Sequence, residues 1–497
     1  MSKALRTAAA ALILAAVPAA GVQRMDPVPT VAGLIVGPVE TDHEAMIAGA
    51  PLRYRAVFRE YALNDQSGRP SATISATTYL RRDVEVERPV FFLFNGGPGA
   101  SSSPLHFSAF GPRLRPPGRD AVAPFTDNAD SLLDVADLVF VDPVGTGFSR
   151  VLPGGDGSHF WAPKGDAGAV LQLIRTWVRD HGRERSPIFI AGESYGAYRL
   201  ATMMGDAGDL NVHGLLLISP ATDTAGMAGA GRSDEDRIFS LPTMAAAAWH
   251  HERVDRRGLT VDQFVAEARA FAERDYLAAL HQGSALPPEE KGRIAARMAA
   301  LIGLPAETIA GADLRVSNDL FVEALLADRN QLVGRLDTRV AAPVRPPARD
   351  GRPAAANDPS LGLGATNVIH SAAITRYMRE ELGVPVDRDY VSLTLDVNFR
   401  WNWFEATDDR TLYHNPLRNI AAAMAERPAL RLMVAGGLYD LATPVAAAHH
   451  AIRHSGIPPE RVRFLVLPAG HSPFEEPPNR ARFAEAVRAF VTAVDRQ

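Results

Sequence analysis

A serine set between glycines is where the chemistry of this chain begins. Gly192-Glu193-Ser194-Tyr195-Gly196 follows an apolar run, Pro187 to Ala191, and precedes Tyr198, Leu200 and Met203 at helical spacing. A G-x-S-x-G turn between strand and helix lifts the serine hydroxyl above the end of a sheet, and its glycines let neighbouring backbone come close. The hydroxyl is a weak nucleophile until a base takes its proton, and that base must be held by a carboxylate. Asp440 in GGLYDLATP and His471 in PAGHSPFEEPP supply both, each just after an apolar run. His449, His450 and His454 fall within a helical stretch and read as surface positions.

The order Ser, Asp, His along the chain is that of the α/β-hydrolase fold. Such a site also needs two backbone N–H groups for the oxyanion. Tyr195, the residue after the nucleophile, offers one. The loop Asn95-Gly96-Gly97-Pro98-Gly99, after the run PVFFLF, offers the other at Gly97. No lysine follows that loop at P-loop spacing, so it does not read as a phosphate cradle.

These groups need a sheet to hold them. Residues 51–63 and 71–82 read as strands joined by a turn from Asn64 to Pro70. Pro89 to Phe94, Ala136 to Val141, Pro187 to Ala191, Gly214 to Ser219, Leu430 to Ala435 and Val462 to Leu467 are short apolar runs that suit strands buried on both faces. Helices are predicted over Ala167 to Asp180 and from about Asn479 to Val494. Strand alternating with helix argues for a mostly parallel α/β sheet, with Ser194, Asp440 and His471 all at carboxyl ends of strands, where open sheets build their sites.

The texture turns helical after about residue 225. Thr260 and Gln263 form a capping box before Phe264, Ala268 and Phe271; Ile294, Met298 and Leu301 share a helical face, and Gly303 with Pro305 stops it. The predicted organisation is a leader over 1–21, a first core part over 40–225, a mainly helical insertion over 226–385 with a Pro-rich loop at 341–364, and a second core part over 386–497. The leader rests on Lys3 and Arg6 before the apolar run ending near Ala20, the pattern of a secretory signal peptide. It predicts an exported protein, periplasmic or secreted, with no membrane segment after cleavage.

Composition narrows the chemistry. The 497 residues carry a net charge of −5 and no basic block, which gives no basis for nucleic-acid binding. With 0 cysteines, thiol nucleophiles, disulfides and Cys-ligated zinc are excluded.

Taken together, FNGGPGASSS (94–103), VDPVGTGFSR (141–150), AGESYGAYRL (191–200), the Asp440 loop and AGHSPFEEP (469–477) resemble the serine carboxypeptidase family, peptidase family S10. The stretch LPTMAAAAWHHER (241–253) looks like the insertion of bacterial members. The resemblance implies release of the C-terminal amino acid of a peptide through an acyl-enzyme, with no cofactor. It also implies that Asn95, beside Gly96, and Glu193 bind the substrate's free carboxylate. A carboxyl in contact with a carboxylate must carry or share a proton, because two like charges do not both ionise at contact; that favours acidic pH. The chain departs from the family pattern at Ala109, where a second Glu is expected, at Leu93 in place of Trp and at Ala100 in place of Cys. An esterase or acyltransferase on the same triad, and an inactive binding protein on the same scaffold, are the rival readings. Arg400, Trp401, Asn402 and Trp403 read as packing at a domain seam, His106 as a packed loop histidine, Glu475 and Glu476 as a solvated pair, and Arg199 has no assigned role.

Overall fold

The computed structural model describes residues 35–65, 67–84, 87–116, 123–222, 234–344, 358–363, 366–403 and 414–495. The predicted leader, and most of the Pro-rich loop, lie outside the described residues.

Nine strands form the path of the central sheet: β1 Val39–Ile47, β2 Ala50–Asn64, β3 Pro70–Arg81, β4 Val90–Phe94, β5 Asp137–Asp142, β6 Ile188–Glu193, β7 Val212–Ile218, β8 Arg431–Gly437 and β9 Val462–Leu467. Their spatial order is β1-β2-β3-β5-β4-β6-β7-β8-β9, and the short strand Arg150–Val151 pairs with β3 beside this path. The first four in that order pair antiparallel and the rest parallel. Two-residue alternation splits the apolar runs between two cores. Phe91, Leu93, Leu138, Phe140, Phe189, Leu216 and Met433 face one side; Phe92, Phe94, Val139, Val141, Ile190, Leu215 and Leu432 face the other. Both faces are covered, so the strands can be apolar throughout.

Helices α1 Pro163–Asp180, α2 Tyr195–Met203, α6 Leu417–Glu426 and α7 Val445–Arg453 cover the second face, and α8 Pro477–Asp495 the first. Helix α1 begins before the predicted Ala167, because Pro163 at its first turn needs no N–H partner. Strand β1 has no counterpart in the sequence reading; its outward residues are Glu40, Asp42, Glu44 and Met46 and only Ala45 and Ile47 are buried, so no apolar run marks it.

Between β7 and β8 lies a third core of its own, built by α3 Asp234–His250, α4 Val261–Phe271 and α5 Pro288–Ile302. The capping box forms in full: the Gln263 amide donates to Thr260 Oγ1 (3.3 Å) and the Thr260 amide to Gln263 Oε1 (3.0 Å). Gly303 closes α5 in the left-handed region, at φ 73°. Ala373, Ile374, Tyr377, Met378 and Leu382, which the sequence reading sets within the insertion, pack into the first core of the sheet. This is an α/β-hydrolase fold with helices inserted over the carboxyl ends of the strands.

Candidate active site

Strand β6 ends at Glu193 and helix α2 begins at Tyr195, leaving Ser194 alone on the corner with φ 59° and ψ −126°. A non-glycine residue there is strained, at a cost on the order of 1–3 kcal/mol. Its neighbours hold it in place. The Ser194 amide donates to the Ile218 carbonyl (2.8 Å), and its own carbonyl accepts from Ala197 (3.0 Å) and Ala221 (3.2 Å). A side chain at Gly192 would overlap the Gly196 carbonyl, and one at Gly196 would crowd the Phe94 carbonyl, which explains the two glycines of the motif.

Asp440 follows β8 and His471 follows β9, two and three strands over from the serine. His471 Nδ1 lies 2.7 Å from Asp440 Oδ2. Asp440, fully buried, also accepts from Thr443 Oγ1 (2.6 Å) and from the amides of Ala442 (2.9 Å) and Thr443 (3.1 Å). Burial opposes its ionisation, but the His471 ring and these donors outweigh that and hold the carboxyl below the usual range. Burial likewise pushes His471 down, and the Asp440 charge more than offsets it, so the imidazole is a stronger base than a free one.

The serine and the acid–base pair are joined through Ser219, the residue after β7. Its hydroxyl donates to the His471 carbonyl (2.6 Å), and its carbonyl lies 2.9 Å from Thr443 Oγ1. Among the hydrogen bonds of the described residues, none links Ser194 Oγ to the His471 ring; such contacts commonly tighten only on substrate binding. A segment leaving the helical insertion braces both loops from above. Leu336 C=O accepts the His471 amide (2.7 Å), Arg335 C=O the Leu441 amide (3.0 Å), and Thr338 donates twice to Tyr439 C=O (3.0 Å each).

The loop after β4 lies against the elbow. A side chain on Gly96 would collide with the amides of Tyr195 and Gly196, so only glycine lets this backbone lie against the Ser194 corner. Gly97 next to it has φ 101°. Tyr195 opens α2, and its N–H is among those a helix cannot satisfy internally. The loop is anchored by a residue the sequence reading left without a role. Arg199, buried at 1% exposure, donates to the Asn95 carbonyl (2.6 Å) and to Asp166 Oδ2 (2.6 Å), which also accepts the Tyr195 hydroxyl (3.1 Å). An arginine in a helix right after the nucleophile is visible in sequence, but its partner Asp166 lies in another helix, and no spacing rule links them.

Glu193 and Asn95 meet directly. Asn95 Nδ2 donates to Glu193 Oε2, and the Ser472 hydroxyl donates to Glu193 Oε1 (2.6 Å). Burial pushes the Glu193 carboxyl up to about 7, against the opposing pull of His471 and of these two donors. Ala109, at the position of the family's second Glu, is buried in the first sheet core beside Phe107 and Phe110.

The remaining candidates fall outside this constellation. Trp401 and Trp403 pack on the rings of Tyr195 and Tyr198, with Trp401 5.0 Å from Tyr195. His106 is stacked between Phe107 and Phe140 and meets the Tyr79 hydroxyl at 2.7 Å, within the core. His449, His450 and His454 lie on or at the end of α7. Glu476 pairs with Arg339 (2.7 Å). Among the described residues no cluster of side chains suited to a metal ion occurs, and no helix is long and apolar enough to cross a membrane.

The sequence model of the serine carboxypeptidase family matches residues 78–223, the segment that carries the Asn95–Gly99 loop and Ser194. Among solved structures, the chain is similar to the prohormone-processing carboxypeptidase Kex1 of Saccharomyces cerevisiae, at 13% identity over 88% of this chain and 91% of that one, with a TM-score of 0.52. A proline iminopeptidase-related protein of Thermus thermophilus also aligns, at 16% identity over 88% of this chain and 98% of that one, with a TM-score of 0.35. No curated protein matches. Over residues 78–223 the chain is thus similar to the serine carboxypeptidases, and the fold around that segment is that of the α/β-hydrolases.

Proposed function

We propose that this chain is an exported carboxypeptidase that removes the C-terminal residue of peptides through an acyl-enzyme on Ser194. His471 takes the Ser194 proton as the hydroxyl attacks the scissile carbonyl. Asp440 holds the imidazole tautomer and stabilises the imidazolium. The amides of Gly97 and Tyr195 receive the oxyanion. The protonated imidazole then donates to the leaving amine, the C-terminal amino acid departs, and water, activated by the same histidine, releases the acyl group.

The observation that carries the exopeptidase reading is the buried Asn95–Glu193 pair beside the nucleophile. A neutral Glu193 O–H and the Asn95 amide can each donate to a substrate carboxylate, whereas an ionised Glu193 repels it. Burial holds Glu193 neutral up to about pH 7, so hydrolysis of free-acid substrates is expected to fall as the pH rises past that value. The basic, then apolar, start of the sequence supports export.

The test compares a blocked dipeptide with its C-terminal amide. A clear drop in kcat/KM on amidation supports a carboxypeptidase; equal rates point to an esterase or general amidase. Ser194→Ala should abolish both hydrolysis and fluorophosphonate labelling, and unchanged turnover in that variant would remove the mechanism.

A further inference from the structure

The residue after the catalytic histidine does not belong to the triad, yet it reaches into the neighbouring site. Ser472 lies next to His471 in the chain, and its hydroxyl stands 2.6 Å from Glu193 Oε1. The other oxygen of Glu193 is taken by Asn95 Nδ2, which leaves Ser472 as the second of its two hydrogen-bond partners among the described residues. The titratable groups facing Glu193 are His471 and Glu475. At Ala109, where the family pattern has a second Glu, this chain has a methyl group packed in the core.

We propose that Ser472 is a specificity-determining residue, a hydroxyl that completes the pocket for the substrate's terminal carboxylate by orienting Glu193 and tying that pocket to the His471 loop. The proposal rests on the carboxypeptidase reading above.

The chemistry favours a hydroxyl in this place. Two carboxyls around a bound carboxylate need two protons to avoid repulsion, whereas one carboxyl and one hydroxyl need a single proton. A serine hydroxyl can also act in either direction. With Glu193 ionised, it donates to Oε1. With Glu193 protonated, it can go on donating to Oε1 while the Glu193 O–H meets the substrate, or accept that proton and turn its own hydrogen towards the substrate. The proton count is closed: one proton is taken up by Glu193, and none leaves Ser472.

Removing the hydroxyl has two separable effects. Glu193 loses a fixed orientation, which weakens binding of free-acid substrates. It also loses a donor that favours its ionised form, so it stays neutral to higher pH.

The experiment measures kcat and KM from acid to alkaline pH for a blocked dipeptide and its C-terminal amide, using the wild-type chain, Ser472→Ala and Ser472→Thr. In Ser472→Ala the acid-over-amide selectivity should fall about tenfold, the scale of one hydrogen bond to a charged group. The loss should sit in KM, and the alkaline fall in free-acid activity should move to higher pH. Ser472→Thr, which keeps the hydroxyl, should restore both. If Ser472→Ala keeps the wild-type selectivity and pH profile, the proposal is overturned while the wild-type preference still supports a carboxypeptidase. A loss of kcat shared equally by acid and amide also overturns it, since the residue would then be acting through His471. If the wild-type chain itself does not distinguish acid from amide, the parent reading has failed, and the Ser472 assignment with it.

Discussion

Two carboxyls in this site, Asp440 and Glu193, are equally buried and end up in opposite states. Asp440 is surrounded by four donor contacts, one of them from the His471 imidazole, and is held ionised. Glu193 has two neutral donors and is pushed up to about 7. Burial acts on both in the same direction, so the difference comes from the number and charge of the partners. Environments that drive titratable groups apart assign them different jobs. In the proposed mechanism one carboxyl orients a base, and the other receives an anion.

The largest break in that contrast comes from Asp440→Asn. The amide fits the same space but can present an N–H to His471, favouring the wrong tautomer. A fall in kcat of about ten-thousand-fold is expected, by analogy with other serine triads. A kcat within a few-fold of wild type would show that Asp440 does not orient the base.

Glu193→Gln should separate the second carboxyl from the first. The amide keeps a donor for the substrate carboxylate but does not ionise. Free-acid hydrolysis should therefore lose its decline through about pH 7, while the decline persists in the wild-type chain. The same variant has a stability signature. A carboxyl whose folded value is raised costs stability as pH climbs from its unfolded value towards its folded one. Glu193→Gln should therefore be more stable than wild type at pH 8, by on the order of 1–3 kcal/mol, with little gain at pH 4. Thermal denaturation at the two pH values reads this directly, and an equal Tm difference at both would contradict the raised value.

The contrast was only half legible in the sequence. Ser194, Asp440 and His471 each follow an apolar run, and the runs do form the parallel strands whose carboxyl ends share one edge. Local pattern is enough for that, because a strand buried on both faces leaves a continuous apolar signal. The residues that set each group's environment leave no such trace. Ser219, Arg199, Ser472 and the brace at Arg335 to Thr338 act through contacts between segments far apart in the chain. The polar β1 strand was missed for a related reason, since its pairing with β2 depends on backbone hydrogen bonds that any sequence can make. Resemblance supplied Asn95 and Glu193, but only packing explains why Glu193 is held near neutrality.

The finest adjustment on the Asp440 side is made by Thr443. Its single hydroxyl hydrogen can go to Asp440 Oδ2 at 2.6 Å or to the Ser219 carbonyl at 2.9 Å. The shorter contact and the charge on Asp440 favour the carboxylate. Thr443→Val keeps the shape of the side chain and deletes that hydrogen. Asp440 retains His471 and two backbone amides, so the base stays oriented and the loss is small beside that of Asp440→Asn. A drop in kcat/KM of about three- to tenfold is expected, the scale of one ordinary hydrogen bond. With one donor gone, Asp440 attracts the His471 proton more strongly, the imidazole is protonated more readily, and activity should fail at a slightly higher pH on the acid side. Thr443→Ser should return both values to wild type, because it restores the hydrogen and changes only a methyl group. A Thr443→Val enzyme as inactive as Asp440→Asn would mean that the hydroxyl, through Ser219, holds the whole base loop in place, and the comparison of the two carboxyls would have to include that loop.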